Sequence, residues 1–301
     1  MVAIQHSMRL FFVLALTMAL SADGASIGVR LMTYNIRLRT DSTQSGEAHW
    51  STRLPLMAKQ ISDQIDESSN MLMCLQEGYR DQLQDLQSSF TGPWWSFLGW
   101  GREGYRSGEY SSVIYQDSIW EKTDEKTYWF TEALEYGIND NVASGWDAEF
   151  PRILNIARFR HRATGAYIVY GCTHLEYKGE VAARESGRWI DIIAERWAED
   201  GTYPVFIGAD LNHEEDSEPY NNVVAGMSDV RKHSASYDQP PTTNTYTGFT
   251  SQAGDDELID FIFVKDRAKV QLVDYNVLSN KPGDTYISDH RPVIANVRIT
   301  Y

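Results

Sequence analysis

Polar side chains follow the apolar runs of this sequence at positions where buried strands would end. Desolvating a carboxylate or an imidazole is costly, so such groups at the ends of apolar strands need a reason. Strand ends that meet at one edge of a sheet are a usual place for a binding or catalytic site. The groups in question are Asn35, Glu77, His174, Asp210, Asn212, Asp260, Asp289 and His290.

This combination of side chains suits the metal-assisted hydrolysis of a phosphoester. Carboxylate and amide oxygens are the ligands that Mg²⁺ or Mn²⁺ prefers, and no His-rich or Cys-rich cluster of the structural zinc type is present. A divalent ion would offset charge on the phosphoryl oxygens, while carboxylates and histidines move protons. Taken singly, Asn35 could end a strand in a turn, His174 could be a core histidine and Asp289 could cap a turn. Their convergence favours a site.

The elements that must position these groups follow from hydrophobic periodicity. Helical spacing predicts three helices, marked by Leu54 to Ile65, Tyr79 to Phe90 and Trp189 to Trp197. Many strands with few helices predict an α/β fold of two packed, mostly antiparallel or mixed β-sheets flanked by helices, a four-layer α/β sandwich. The predicted strands lie near 28–36, 70–76, 111–115, 153–160, 166–174, 204–210, 258–264, 269–277 and 292–299.

Length and charge limit the function further. The chain has 301 residues, a formal charge of −15 and 42% hydrophobic residues. It contains enough apolar material for a large core, which excludes global disorder. No basic run is present, and this argues against tight, sequence-reading binding to nucleic acid. The lack of a basic run does not exclude an enzyme in which a bound metal ion supplies the positive charge.

The first 25 residues predict export. An apolar run from Leu10 to Leu20 follows Arg9 and precedes small residues, which is typical of a signal peptide and too short for a spanning helix. An uncleaved anchor is the alternative. We expect residues 26–301 to form one domain, secreted, monomeric and without integral membrane association. Cys74 and Cys172 both lie inside apolar runs, so the sequence favours two buried free thiols over a bridge.

One glycine pattern is misleading. The run from Gly99 to Gly104 matches GxGxxG, the dinucleotide-binding fingerprint. That motif requires a strand before it and a helix after it, whose N-terminus holds the pyrophosphate. Here Pro93-Trp94-Trp95 precedes it and a strand-like segment follows it. We therefore expect a loop.

The ordered motifs YNIR, CLQE, GEY, THL, GADLN, IDFIF and SDHRPV resemble the endonuclease/exonuclease/phosphatase superfamily, across Asn35 to His290. The stretch from Ser144 to Asp147, followed by Pro151-Arg152, resembles a secreted branch related to the deadenylases. Two motifs depart from the usual pattern. GADLN stands for GDFN but keeps Asp210 and Asn212, and Thr247 replaces a histidine of the TFHGF motif.

The resemblance implies a role for each site residue. Glu77 would be the principal ligand of Mg²⁺ or Mn²⁺, with Asn35 and Asp289 beside it. Asp210 would orient or deprotonate the attacking water, and Asn212 would donate to the developing oxyanion. His174 and His290 would act on the phosphate and the leaving oxygen. Asp260 would anchor His290 and Glu109 would anchor His174, while Arg152 and Arg158 are expected to be surface charges outside the catalytic set.

Three functions are compatible with the sequence. The first is a secreted nuclease that cleaves RNA or DNA, such as a 3′–5′ exonuclease, with Trp94, Trp95 and Trp146 available to stack on bases. The second is hydrolysis of a smaller phosphoester, such as a phospholipid headgroup or an inositol or sugar phosphate, which suits the acidity. The third is a binding module that kept the fold and lost the chemistry.

Overall fold

The structure is a computed structural model. It describes residues 24–92, 94–138, 140, 142–237, 244–250 and 257–301. The predicted signal peptide therefore lies almost wholly outside the described residues, and its cleavage stays a prediction. The expected single domain over 26–301 also stays a prediction. Among the described residues, no helix is long and apolar enough to cross a membrane.

Two β-sheets form the centre of the described structure. The first has the strand order β10-β12-β13-β1-β2-β4-β3, and the second β5-β6-β7-β8-β11-β9. Their strands are β1 Ser26–Asn35, β2 Met71–Gly78, β3 Trp95–Phe97, β4 Tyr110–Gln116, β5 Trp120–Trp129, β6 Ile153–His161, β7 Tyr167–His174, β8 Val205–Asp210, β9 Ser228–Asp229, β10 Ser236–Tyr237, β11 Asp260–Lys265, β12 Val270–Val277 and β13 Val293–Thr300.

Helices cover the outer faces of both sheets. They are α1 Trp50–Glu67, α2 Arg80–Ser89, α3 Glu180–Ala198 and α4 Glu218–Val224, with a 3₁₀ turn at Glu132–Tyr136. The short helix α5 Val230–His233 instead contacts β11 and β12, and its Val230 belongs to the core between the sheets. One apolar cluster fills the space between the sheets. Another packs α3 and α4 on the second sheet, and a third packs α1 and α2 on the first. Because parallel pairs such as β1–β2 and β7–β8 lie among antiparallel ones, both sheets are mixed. The four-layer α/β sandwich is confirmed.

Strand β5 was not predicted from the sequence, and the reason is physical. It is the edge strand of the second sheet, and its middle, from Glu121 to Lys126, is charged and largely solvent-facing. An edge strand with one wet face carries little apolar alternation. Its ends are apolar, and Trp120 and Trp129 are buried there.

The expectation of two free thiols was wrong. Cys74 on β2 and Cys172 on β7 form a disulfide, with their Cα atoms 5.0 Å apart. Both belong to the core between the two sheets. The sequence correctly places each cysteine in a buried strand, but it does not show that these strands face each other. Gly208 on β8 lies against the bridge, because a Cβ atom there would come within 2.8 Å of the Cys74 Cβ.

Candidate active site

Strand register brings three predicted site residues together on the second sheet. His174 at the end of β7 pairs with Asp210 at the end of β8. Asp210 also pairs with Asp260 at the start of β11. Alternation along each strand leaves these side chains at one sheet edge, and Asp210 and Asp260 are fully buried. The polar ends of three separate apolar runs are therefore neighbours in space.

The first sheet supplies the other half of the site. Asn35 ends β1, and its amide nitrogen donates to Glu77 Oε1 and to Asp210 Oδ2, at 2.9 Å each. One amide thus links carboxylates from the two sheets. Glu77 and Asp289 line an open cavity of about 500 Å³, below which Asp210 and Asp260 lie buried.

Three site residues have left-handed backbone conformations that favour glycine. They are Arg37, Glu77 and Asn212, with φ angles of 57°, 62° and 55°. Glu77 lies at an irregularity in the β2–β4 pairing between Gln76 and Gly78, which turns its side chain into the cavity. Such strain clusters at functional sites because surrounding contacts hold it in place.

His290 is held as the resemblance implied. Its Nδ1 lies 2.8 Å from Asp260 Oδ2, and its Nε2 lies 3.7 Å from Asp210 Oδ2. Burial would lower the pKa of His290, but Asp260 and Asp210 outweigh it and raise that pKa well above its ordinary value. The same crowding acts on Asp210, since burial and the neighbouring Asp260 raise its pKa to about 7.

His174 has a different environment. Its Nε2 accepts from the Asn212 amide at 2.8 Å and lies 3.4 Å from Asp210 Oδ2. Burial lowers the pKa of His174 well below its ordinary value, and the nearby Arg152 acts in the same direction. The two imidazoles therefore lie beside the same oxygen, Asp210 Oδ2, and their environments shift their pKa values in opposite directions.

Glu109 does not anchor His174, which corrects the role implied for it. Both of its carboxylate oxygens accept from Arg102, at 2.8 and 3.0 Å, and no hydrogen bond or ion pair among the described residues joins it to His174. Burial raises the pKa of Glu109 to about 7, and Glu77 adds to that effect. Glu109 does lie in the cavity beside His174, but its partner is the arginine. The sequence could not show this pairing because Arg102 belongs to the loop of the misleading glycine motif.

That loop is a structural part of the site. It runs from Gly99 to Gly108 with no helix after it, as expected. The buried Asn155 amide holds it, accepting from the Trp100 N–H at 3.1 Å and donating to the Trp100 carbonyl at 3.1 Å. The Trp129 indole donates to the Arg102 carbonyl at 2.8 Å.

Arg152 is a site residue that the sequence prediction missed. It is buried, lines the cavity beside His174 and donates through Nε to the fully buried Glu176 at 3.2 Å. No hydrogen bond among the described residues uses its two Nη groups. Arg158, six residues later on β6, pairs instead with Glu199 at the surface, as expected. A clue was available, because Arg152 itself belongs to the Pro151-Arg152 pair that takes part in the resemblance.

The proposed base-stacking tryptophans lie away from the cavity. Trp95 is buried and pairs with Gln116 at the far end of β4 from Tyr110, roughly 20 Å along the strand. Trp94 precedes it and is exposed. Trp146 packs on the core under the second sheet. The aromatic residues that do line the cavity are Phe150, Tyr177 and Tyr246.

The cluster of carboxylates fits a divalent cation. Asp210, Asp260 and His290 each offer an atom within 4.8 Å of the others, and Asp260 Oδ1 is buried without a hydrogen-bond partner. Burial raises the pKa of Asp289 and of Asp210, and the neighbouring carboxylates Glu77 and Asp260 act in the same direction. Of the three predicted metal ligands, Glu77 and Asp289 line the cavity. Hard oxygen donors of this kind suit Mg²⁺ or Mn²⁺.

Asn35 holds this cluster together through its amide. Its Oδ1 accepts from the Arg37 N–H at 2.9 Å, while its nitrogen holds the two carboxylates. The division of these residues into metal ligands and catalytic groups stays a prediction. Thr247, at the position of the family's histidine, is buried and donates through its N–H and hydroxyl to the Asp289 carbonyl.

Comparison with known proteins decides the family. A sequence model of the endonuclease/exonuclease/phosphatase family matches residues 32–290. The chain belongs to this family. Its members are phosphoester hydrolases, and so is this protein. No curated protein matches the chain.

Solved structures of the same family have the same fold. A family protein from Bacteroides thetaiotaomicron is 22% identical, with a TM-score of 0.80 over 92% of this chain and 96% of its own. One from Bacteroides vulgatus is 28% identical, with a TM-score of 0.78 over 91% and 99%. A mannosyl-6-phosphatase from B. thetaiotaomicron is 22% identical, with a TM-score of 0.77 over 89% and 99%.

Proposed function

We propose that this protein hydrolyses a small phosphoester of the phosphorylated-sugar class, with Mg²⁺ or Mn²⁺ as the cofactor. The observation that carries the proposal is the cavity of about 500 Å³ lined by arginines, histidines and carboxylates, whose volume is that of a small-molecule pocket. The mannosyl-6-phosphatase of the same fold supports this substrate class. The preference therefore moves from the nuclease to the alternative that the acidity of the chain already favoured.

Pairing of the cationic side chains argues against a polynucleotide. Arg37 pairs with Glu47, Arg102 with Glu109 and Arg152 with Glu176. On the rim, Lys178 pairs with Glu149 at 2.6 Å. A nuclease that grips a nucleic acid backbone needs a track of positive charge to neutralise successive phosphates. Around this cavity, each of these cations already has a carboxylate.

The chemistry assigns a role to each of five residues. A divalent ion held by Glu77 and Asp289 would supply charge for the phosphoryl oxygens. Asp210, whose pKa of about 7 suits proton transfer near neutral pH, would orient the attacking water and take its proton. Cationic His290, fixed by Asp260, would stabilise the charge that develops on the phosphoryl group.

Two arginine–aromatic pairs would bind the rest of the substrate. The Arg102 guanidinium lies 4.5 Å from the Phe150 ring, and that of Arg152 lies 6.0 Å from the Tyr177 ring. Phe150 and Tyr177 are both exposed, and both line the cavity. Aromatic faces beside fixed hydrogen-bonding groups suit a compact ring that carries hydroxyl groups.

The nuclease remains the second candidate because of one observation. Trp100 and Tyr105 are 43% and 58% exposed, and they lie in the loop that brings Arg102 into the cavity. Exposed aromatic rings beside a phosphate site could stack on bases.

A substrate panel tests the proposal. Wild-type protein is assayed with Mn²⁺ or Mg²⁺ on hexose phosphates, inositol phosphates, phospholipids, single-stranded RNA, double-stranded DNA and bis(p-nitrophenyl) phosphate. We expect sugar phosphates to give the highest kcat/KM and EDTA to stop turnover. The Asp210→Asn variant is the control for contaminating activity, and it should lose about 10²- to 10⁴-fold in kcat. A higher kcat/KM on RNA or DNA would establish the nuclease instead, and inactivity on the whole panel would overturn the enzymatic proposal.

We also propose that the protein is secreted. The Leu10–Leu20 run supports this, and so does the Cys74–Cys172 bridge, because disulfides persist in oxidising compartments. The test is to express the full chain in a secreting host. We expect protein in the medium whose N-terminus lies near residue 26 and whose two cysteines are bridged, as read by mass spectrometry. Retention in the cell with residues 1–25 still attached would contradict the proposal.

A further inference from the structure

The Arg53 side chain is an unusual buried cation. It lies in the first turn of α1 and is fully buried. An arginine has five N–H donors, and here each has a backbone carbonyl as its acceptor. The acceptors are the carbonyls of Ala48 at 3.1 Å, Ile36 at 2.8 Å, Ile287 at 3.1 Å, Arg37 at 3.1 Å and Leu38 at 3.3 Å. No ion pair within the described part of the chain involves Arg53.

These carbonyls belong to three segments that carry site residues. Three of them follow Asn35 at the end of β1, in residues 36–38. One follows Glu47, whose carboxylate pairs with Arg37. One precedes Asp289 by two residues. A single side chain from α1 therefore joins the segments that carry Asn35, Glu47 and Asp289.

The connection to β2 passes through two peptide groups. The first is the peptide group between Ile36 and Arg37. Arg53 donates to its carbonyl, and its N–H donates to Asn35 Oδ1 at 2.9 Å. The second is the peptide group between Arg37 and Leu38. Arg53 donates to its carbonyl, and its N–H donates to Glu77 Oε2 at 3.1 Å.

The geometry that allows this is the left-handed conformation of Arg37. Its φ of 57° turns two consecutive N–H groups toward the site while their carbonyls face Arg53. Successive N–H groups arranged in this way form a small anion-binding concavity. A cation on the carbonyl side polarises each peptide and strengthens the hydrogen bond that its N–H donates.

We propose that Arg53 is a positioning residue for the metal site, because it fixes and polarises the two peptide groups that hold Asn35 and Glu77. It touches neither substrate nor metal and acts through the backbone. The inference rests on the proposed function, in which Glu77 holds the divalent ion. Lysine cannot replace Arg53, since an ammonium offers three donors from one point and cannot reach five acceptors that surround a planar fork.

The experiment compares Arg53→Lys and Arg53→Gln with Met57→Ala. Met57 is also fully buried on α1 and packs in the core under the first sheet, so its variant controls for loss of stability. Mn²⁺ affinity is measured from the shift of the unfolding midpoint with metal concentration, without any substrate. Changes to the groups that orient metal ligands weaken affinity by about 10- to 100-fold, and we expect that range for both Arg53 variants. Met57→Ala should keep the wild-type Kd.

Hydrogen exchange provides a readout that is independent of metal and activity. In the wild-type protein, the amides of Arg37 and Leu38 should exchange as slowly as those of strand β1, and in Arg53→Lys they should exchange faster. Fast exchange of both amides in the wild type would overturn the inference even if neither Arg53 variant folds. Wild-type Mn²⁺ affinity in a folded Arg53 variant, or equal weakening by Met57→Ala, would also overturn it. If the wild type binds no Mn²⁺ and is inactive on the panel, the proposed function fails, and the exchange data alone decide the positioning role.

Discussion

At the scale of single residues, the structure separates arginines that sequence patterns treat alike. Arg152 and Arg158 belong to the same region of the chain, and both were expected to be surface charges. Arg152 is buried, donates to Glu176 through Nε and lines the cavity. Arg158 forms exposed pairs with Glu199 and Asp124. The two arginines differ in whether the side chain lies at the cavity or at the solvent-exposed surface. That difference depends on how the strand is placed in the sheet and on the residues that each arginine contacts.

Arg152→Gln tests this distinction. Hydrogen bonds to charged groups contribute about 1.5–3 kcal/mol, so we expect kcat/KM to fall about 10- to 100-fold on the best substrate of the panel. Arg152→Lys should recover little, because an ammonium cannot keep the Glu176 contact and also present two donors to the cavity. Arg158→Gln is the matched control and should change kcat/KM by less than about twofold. Equal effects of the two glutamine variants would contradict the placement of Arg152 in the site.

At the scale of elements, the disulfide connects the two halves of the active site. It joins β2, which carries Glu77, to β7, which ends at His174. The bridge lies in the core between the sheets, three residues from Glu77 and two from His174. It therefore holds the two sheets together immediately below the cavity.

The stability of a double variant, Cys74→Ala with Cys172→Ala, should report this connection. Loss of a native disulfide typically costs about 2–5 kcal/mol, and we expect the free energy of unfolding, measured with urea, to fall by that amount. Val113→Ala, in the same core, controls for lost side-chain volume. Thiol titration of denatured, unreduced wild-type protein should find no free thiol. Two free thiols, or an unchanged urea midpoint in the double variant, would show that the bridge does not form.

The elements themselves were largely predictable. Nine expected strands and three expected helices are present, because each buries one face or both and so carries a clear apolar period. The missed elements are short or lie at an edge, such as β3, β9 and α5, or are charged in the middle, such as β5. Local periodicity is weak where a segment buries little surface.

At the scale of the whole molecule, the charge of −15 bears on which classes of substrate can approach the protein. Much of the acidity near the site is internal, paired with arginines or grouped around Asn35. The acidity elsewhere repels long polyanions but acts little on a small ligand inside the cavity, because salt screens surface charge within about 8 Å.

The salt dependence of the panel reactions measures this effect. We expect KM for a sugar phosphate to change only severalfold between 50 and 200 mM salt, since few counterions are released. A nuclease that grips 6–10 phosphates would lose about 10³- to 10⁵-fold in affinity over the same range. A steep response on the preferred substrate would contradict the small-substrate proposal.

The sequence by itself determined the fold class and the family, and it named most of the polar residues that the structure brings together. The spacing of apolar residues is visible within each short segment of the chain, and polar residues at the ends of apolar strands interrupt that spacing. Only the tertiary structure decided the pairings: Glu109 with Arg102, Cys74 with Cys172, and Arg53 with five carbonyls. These contacts join segments whose relative position depends on strand order and on the facing of two sheets, and no local pattern in the chain records either.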